Sequence, residues 1–271
     1  MILNIIICYN NADEVKSYIE STRGLDCGKS VKFIVVINAV KKEESEIIEK
    51  IKSYDYVQVY MPEKNVGYIN GLLYGYEEYS KNHDIKDVNW IVLSNTDIEY
   101  EKKSFLAYFL NKNYDDDIWC VAPSVYSKNT SSYSNPSSLY RRSRKEIDRL
   151  IKIFSNPFIG SLYIFLSKLK RTPFSKRPKS QYIYEVHGCY FIIRRCFIEL
   201  LIKNKYQAFL YSEETYIAEH AYKNGKRIYY DDGFQVIHNE HSVTKKVNYV
   251  RKTKLFAESL LIIRDNFYKN D

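Results

Sequence analysis

Apolar residues come in short blocks over the first hundred positions, and the blocks alternate between two periods. Residues 3–9 form a continuous β-rich run, and residues 13–21 follow the Asn10-Asn11 turn with helical spacing. Residues 31–37 repeat the buried-strand pattern, and residues 43–54 place Ile47, Ile48 and Ile51 on one helical face. A third strand is predicted at 57–61, a helix at 68–79, and a fourth strand at 90–94, closed by Asn95-Thr96-Asp97. Strands separated by helical stretches predict an α/β fold with a mostly parallel sheet and helices on both faces. In such sheets ligands sit outside the carboxyl ends of the strands.

The second half has a different rhythm. A short strand is predicted at 119–122, then a Ser/Asn/Tyr-rich loop over 124–138. Beyond it the pattern predicts a strand at 185–194, helices at 195–203 and 213–224, strands at 227–230 and 234–238, and a largely helical tail at 247–267. Between the loop and the 185–194 strand, Ile147, Leu150, Ile151 and Phe154 fall at i, i+3, i+4, i+7. After Asn156-Pro157, the residues Phe158, Leu162, Phe165, Leu166 and Leu169 continue the spacing. Two amphipathic helices broken at Pro157 are expected.

Charge singles out the same segment. The chain carries 41 Lys and Arg against 33 Asp and Glu, a net of +8. Residues 140–180 hold 12 of those cations and two of the acids, a local +10 that leaves the rest of the chain slightly acidic. A basic amphipathic helix pair suits an anionic membrane surface, with Phe154, Phe158, Leu162 and Phe165 as insertable side chains. The aromatics lie on the apolar stripe and are not interleaved with the cations, so no nucleic-acid partner is expected. The five cysteines are scattered without a CxxC pair, which argues against a zinc ribbon or a disulfide framework. The N-terminus lacks a basic region and a cleavage site of signal-peptide type. A cytoplasmic protein with reduced thiols is expected.

Four features, and a histidine cluster downstream of them, offer candidate chemistry. Tyr9-Asn10 closes the first strand and could stack on and hydrogen-bond a base. Asn65, Gly67, Gly71 and Gly75 follow the third strand. Glycines at i, i+4, i+8 cost a helix about 1 kcal/mol each relative to alanine, so something approaches that face closely. Asn95-Thr96-Asp97 sets a carboxylate at the ligand edge of the sheet, where it could hold a divalent metal against phosphate oxygens. Glu213-Glu214 opens a helix and offers a general base, while His238, Glu240 and His241 form an imidazole-and-acid cluster suited to a metal.

The order of these features resembles the GT-A-fold family-2 glycosyltransferases, especially the bacterial rhamnosyltransferase-like members of surface polysaccharide biosynthesis. The resemblance runs over residues 3–245, interrupted by the basic segment. Tyr9-Asn10 matches the end of the first strand, and Asn65, Gly67 and Gly71 match the Asn-x-Gly motif. Asn95-Thr96-Asp97 matches the metal motif, Gly188 to Arg195 the Gly-and-IRR strand, Phe209 to Glu214 the acid pair, and His238 the late histidine. Where many members have an aspartate before the Asn ending the second strand, this chain has Ile37, followed by Asn38.

The resemblance implies a GT-A domain over 1–245, with a nucleotide-sugar-binding half (1–100), an acceptor half (101–245, including the basic insertion 140–180) and a C-terminal helical tail (246–271). It implies an inverting sugar transfer from a UDP- or dTDP-linked donor to a lipid-linked glycan acceptor, with Mn²⁺ or Mg²⁺. Tyr9, Asn10, Asn38, Asn65, Gly67, Gly71, Asn95 and Asp97 would bind the donor. Asp97 and His238 would bind metal, and Glu214 or Glu213 would be the base. Attachment to the inner face of the cell membrane follows from combining this reading with the basic segment. The alternative is a non-catalytic membrane or nucleic-acid binding protein on the same fold.

Overall fold

The computed structural model describes residues 1–170, 174–240 and 248–269, apart from the side chains of 167–170. Its first hundred residues alternate as the pattern predicts: β1 (Ile2–Tyr9), α1 (Ala12–Arg23), β2 (Val31–Ala39), α2 (Ser45–Lys52), β3 (Val57–Tyr60), α3 (Tyr68–Asn82) and β4 (Trp90–Ser94). β1 pairs in parallel with β2 and with β4, and β2 with β3. Successive strand residues enter opposite cores, as the two-residue period of a strand requires. Leu3 and Ile5 of β1 and Ile34 and Val36 of β2 pack beneath α3. Ile2 and Ile6 of β1 and Phe33, Val35 and Ile37 of β2 pack against α1 and α2. Each such fully buried side chain contributes about 1.5–3 kcal/mol relative to exposure.

The remaining elements are β5 (Ile98–Tyr100), α4 (Phe105–Asn111), β6 (Ile118–Ser127), β7 (Ser132–Tyr133), α5 (Arg144–Ser155), α6 (Pro157–Lys170), β8 (Gln181–Ile183), β9 (Tyr190–Arg194), α7 (Arg195–Lys203), α8 (Glu213–Lys223), β10 (Arg227–His238) and α9 (Tyr249–Phe267). Among the described residues one sheet runs in the order β3-β2-β1-β4-β9-β6-β10-β5, with β7 on β6 and β8 on β10. β9 is antiparallel to both β4 and β6, while β10 is parallel to β6. The fold is therefore a mixed, mostly parallel α/β sheet with helices around it.

Several boundaries differ from the sequence pattern. The two predicted strands at 227–230 and 234–238 are one strand, β10, because a register shift between Asp231 and Gln235 absorbs the polar interruption. The 185–194 strand shortens to β9, since Gly188 and Cys189 turn instead of pairing. β6 extends to Ser127, well into the predicted loop. β5, β7 and β8 span three residues or fewer, too few to show an alternation. The α4 helix, unpredicted, buries Phe105, Leu106 and Phe109. Of the late metal cluster, His241 lies outside the described residues.

The basic segment forms the expected helix pair. Ser143 and Glu146 make a capping box at the start of α5. Pro157 occupies the first position of α6, where its missing N–H costs nothing, and the Asn156 side chain accepts hydrogen bonds from the N–H groups of Phe158 (3.0 Å) and Ile159 (3.1 Å). Phe154 does not insert anywhere. With Ile147 and Ile151 it is buried, and its ring stacks on Phe256 of α9 at 5.0 Å. Part of the local charge is also internally satisfied. Arg141 pairs with buried Glu219 (2.9 Å), Arg142 with Glu185 (3.1 Å) and Arg177 with Glu101 (2.8 Å).

The glycine repeat of α3 serves packing at its far end. A Cβ on Gly75 would lie 2.6 Å from Val36 Cγ2 and 3.0 Å from Ile34 Cγ2, side chains with no room to yield. Gly75→Val is expected to lower stability by about 2 kcal/mol through overpacking, even though valine exceeds glycine in helix propensity. A denaturant midpoint equal to or above that of the unaltered chain would show that α3 can lift off the sheet without cost.

Candidate active site

The carboxyl ends of β1, β2 and β4 open onto a cavity of about 620 Å³, closed on the far side by the segments before β9 and α8 and by α9. Tyr9, Asn10, Asn38, Asn65, Gly67, Asn95, Asp97, Glu213, Glu214 and His238 all line it. Gly71 is set behind the wall, where a Cβ would lie 2.8 Å from Ile7 Cδ1 and 3.3 Å from Asn38 Nδ2. Its absent side chain lets α3 seat Asn38.

Local chemistry builds one wall of the cavity. Gly67 has φ of +87° and stands against the Phe209 carbonyl, so no other residue fits. Its N–H donates to Asn65 Oδ1 (2.9 Å), and its carbonyl accepts from Asn38 Nδ2 (2.8 Å). The Asn38 Oδ1 atom makes no hydrogen bond among the described residues. Asn11, which the sequence offers only as part of the Asn10-Asn11 turn, ties α1 to the turn at residues 95–97. Its side-chain oxygen accepts from the Tyr9 N–H (2.7 Å), and its Nδ2 donates to Thr96 Oγ1 (2.9 Å) and Glu14 Oε1 (3.1 Å).

Backbone hydrogen bonds bring three chain segments to one corner. The Asn95 N–H donates to the Cys189 carbonyl (2.8 Å), and the Asn239 N–H to the Asp97 carbonyl (2.9 Å). This sets His238 Nε2 3.2 Å from Asp97 Oδ2, with both side chains over nine-tenths buried. Neither ring nitrogen of His238 makes a hydrogen bond among the described residues. A buried imidazole without a hydrogen bond, in contact with a carboxylate, fits a divalent cation. His187 and Cys189 complete the corner. Ligand atoms of His187, Cys189 and His238 all lie within 4.8 Å of one another. Buried Asn135 holds the loop by accepting from the His187 N–H (2.7 Å). The sequence reading does not include His187; its one signal is its place directly before Gly188 of the motif.

The acid pair enters from α8 by a strained turn. Tyr211 (φ +72°) and Ser212 (φ +57°) are consecutive left-handed residues, each costing about 1–3 kcal/mol. α9 holds them: the Tyr211 ring stacks on Phe256 at 4.1 Å, and Ser212 Oγ meets Ser259 Oγ at 2.9 Å. The Glu214 carboxylate rests on Gly188, in the space a Cβ would occupy. Burial raises the pKa of Glu213 to about 8, and the neighbouring Glu214 charge adds to it. Backbone hydrogen bonds at Tyr211 and Glu213 only partly oppose the rise. Burial, then the charges of Asp97 and Glu214, likewise raises the Cys189 thiol well above its usual range.

The sequence profile of the glycosyl transferase family 2 matches residues 4–195. The chain belongs to that family. As a family-2 protein it shares its fold with two solved glycosyltransferases. A mannosyltransferase from Pyrobaculum calidifontis, in complex with GDP-mannose and Mn²⁺, superposes with a TM-score of 0.58 at 11% identity, over 100% of this chain and 64% of that one. GalNAc-T7, with UDP, GalNAc and Mn²⁺, superposes with a TM-score of 0.60 at 13% identity, over 100% of this chain and 48% of that one. The chain thus spans less than two thirds of either relative. No curated protein matches its sequence.

Two outcomes follow for the family-2 site. Glu213 is ionised above about pH 4.5 when unfolded but holds its proton to about pH 8 when folded, so its contribution to stability is full below the first value and lost through the second. Glu213→Gln should therefore leave the thermal midpoint unchanged near pH 4 and raise it at pH 9, relative to the unaltered chain; parallel curves at all pH values would refute the buried, protonated Glu213. Gly188→Ala should displace the Glu214 carboxylate and cut turnover by about 10²-fold or more with stability nearly kept. Unaltered turnover would place Glu214 elsewhere.

Proposed function

We propose that this family-2 protein is an inverting, metal-dependent glycosyltransferase. It would move a hexose or deoxyhexose from a nucleoside diphosphate donor to a hydroxyl of a lipid-linked glycan, in bacterial surface polysaccharide synthesis of the rhamnosyltransferase-like type. The observation that carries this reading is one cavity with the Asp97–His238 corner on one side and the Glu213–Glu214 pair on the other. The known complexes of the two relatives, with GDP-mannose or UDP and Mn²⁺, support it.

Each residue has a part to play. Tyr9 and Asn38 flank the base. Asn38 Nδ2 is committed to the Gly67 carbonyl, so the amide offers an acceptor, which suits a base with a ring N–H such as uracil or thymine. Asp97 and His238 would hold Mn²⁺ or Mg²⁺, and the imidazole favours Mn²⁺. When bound, the ion would offset charge developing on the departing diphosphate. Burial and the Glu214 charge favour the protonated form of Glu213, and Glu214 is assigned as the group that takes the acceptor hydroxyl's proton. Attack from the face opposite the diphosphate inverts the anomeric carbon and needs no covalent intermediate. Residues 1–100 would serve the donor and 101–245 the acceptor, at the cytoplasmic face of the membrane. No helix among the described residues is long and apolar enough to cross it.

Calorimetry with UDP and dTDP, each with and without Mn²⁺, tests the donor reading. Metal-dependent heat is expected, abolished in Asp97→Asn and weakened in His238→Ala; the absence of metal-dependent heat with either nucleotide would favour a non-catalytic binder. In a donor-hydrolysis or transfer assay, Glu214→Gln should lower turnover by about 10²–10⁴-fold while nucleotide affinity stays within a few-fold. A collapse of affinity along with turnover would make Glu214 a binding element.

A further inference from the structure

We propose that α6, together with the first turn of α9, is the surface on which this protein sits on an anionic lipid bilayer, with the mouth of the donor cavity held close to it. The inference rests on reading that cavity as a transferase site whose acceptor is membrane-borne.

The outward face of α6 is apolar. Phe158 is 80% exposed, Ile159 50%, Leu162 49%, Tyr163 39%, Phe165 54% and Leu166 41%. At 100° per residue these six cover one arc of roughly 160°. The opposite face carries Gly160, whose missing side chain lets α6 lie against α9: a Cβ there would be 2.7 Å from Thr253 Cγ2. Single exposed aromatics are ordinary on protein surfaces, but a contiguous apolar face of this breadth marks an interaction site.

The neighbouring helix decides which partner fits. α5 buries Ile147, Ile151 and Phe154 and turns Lys145, Arg149 and Lys152, at i, i+4 and i+7, to solvent. None of the three makes an ion pair with a described residue. α5 and α6 adjoin where the Phe154 and Tyr163 rings meet edge to face at 5.6 Å. An apolar face beside a basic one matches a bilayer interface, with acyl chains for the first and anionic headgroups for the second. An apolar dimer contact would use the first face and has no need of the second.

α9 connects this surface to the cavity. Tyr249 and Val250 in its first turn are 43% and 54% exposed, and Thr253, one turn on, supports Gly160 of α6. Arg251 and Leu255 of the same helix line the cavity. Five residues of helix separate Val250 from Leu255, about 7–8 Å. The helix that carries the exposed first turn thus also lines the cavity that holds Glu214.

The test is co-sedimentation of the full chain with vesicles of phosphatidylcholine, with and without phosphatidylglycerol. Binding to the anionic vesicles is expected, weakening as salt rises and leaving a salt-resistant remainder. Replacing Phe158, Leu162 and Phe165 together by serine should cut binding at least tenfold with the thermal midpoint unchanged. Lys145→Glu with Arg149→Glu and Lys152→Glu should cut it on the order of a hundredfold. In a Leu162→Trp variant, brominated acyl chains should quench the new indole and spare the native Trp90 and Trp119. Equal binding to both vesicle types, binding to neither, or a dimer that the triple serine variant dissolves without any vesicle binding would overturn the proposal. Nucleotide heat measured on the same preparation separates the two readings. Vesicle binding without such heat supports the docking surface and removes the donor reading, whereas heat without vesicle binding removes the docking surface alone.

Discussion

Four carboxylates, Glu14, Asp97, Glu213 and Glu214, line one cavity, and holding like charges in a poorly solvated space is the constraint the surrounding structure has to meet. Like charges cannot all be held there unopposed. One proton answers part of the problem, because burial and the Glu214 charge push Glu213 up to about 8. The Asp97 corner answers another part, with the His238 imidazole 3.2 Å from the carboxylate. A cation held there would offset part of the remaining negative charge.

Holding the acids in place falls largely to parts of the chain remote from them in sequence. The left-handed pair Tyr211-Ser212 would relax if left alone; Phe256 and Ser259 of α9 fix it from outside. α8 itself is anchored through Glu219, buried among Arg141, Tyr184 and the α9 end, and through Thr215, whose hydroxyl donates to Glu185 Oε1 (2.6 Å). The C-terminal helix thus acts on the site through the turn that aims Glu214, besides lining the cavity with Arg251 and Leu255.

The basic segment divides its charge between two uses. Arg141, Arg142 and Arg177 neutralise acids of the body, and there each partner removes an otherwise costly buried or half-buried carboxylate. Lys145, Arg149 and Lys152 are left on the outer face of α5, where solvent screens them and their long-range field can act. A net charge over the segment does not distinguish the two, since both sets contribute equally to +10.

Local pattern was enough for much of this molecule. The alternation of β-rich runs and helical spacing over the first hundred residues, the break at Asn156-Pro157, and the strand ends at Tyr9, Asn95–Asp97 and His238 follow from period, caps and turn residues, which act over a few positions. Gly71 and Gly75 announced a close approach, although what approaches is the sheet and Asn38. Tertiary structure alone decided the rest. It merged two predicted strands into β10, because the bulge between Asp231 and Gln235 is permitted by pairing with β6. It turned Phe154 inward and left Phe158 outward, although both sit on stripes of similar period, because α9 covers the first and not the second. It set Glu214 on Gly188 and buried Glu213 beside it, where its carboxyl pKa rises, which no spacing of two adjacent glutamates encodes. Contacts between residues a hundred positions apart, and the desolvation they cause, exist only once the chain has folded.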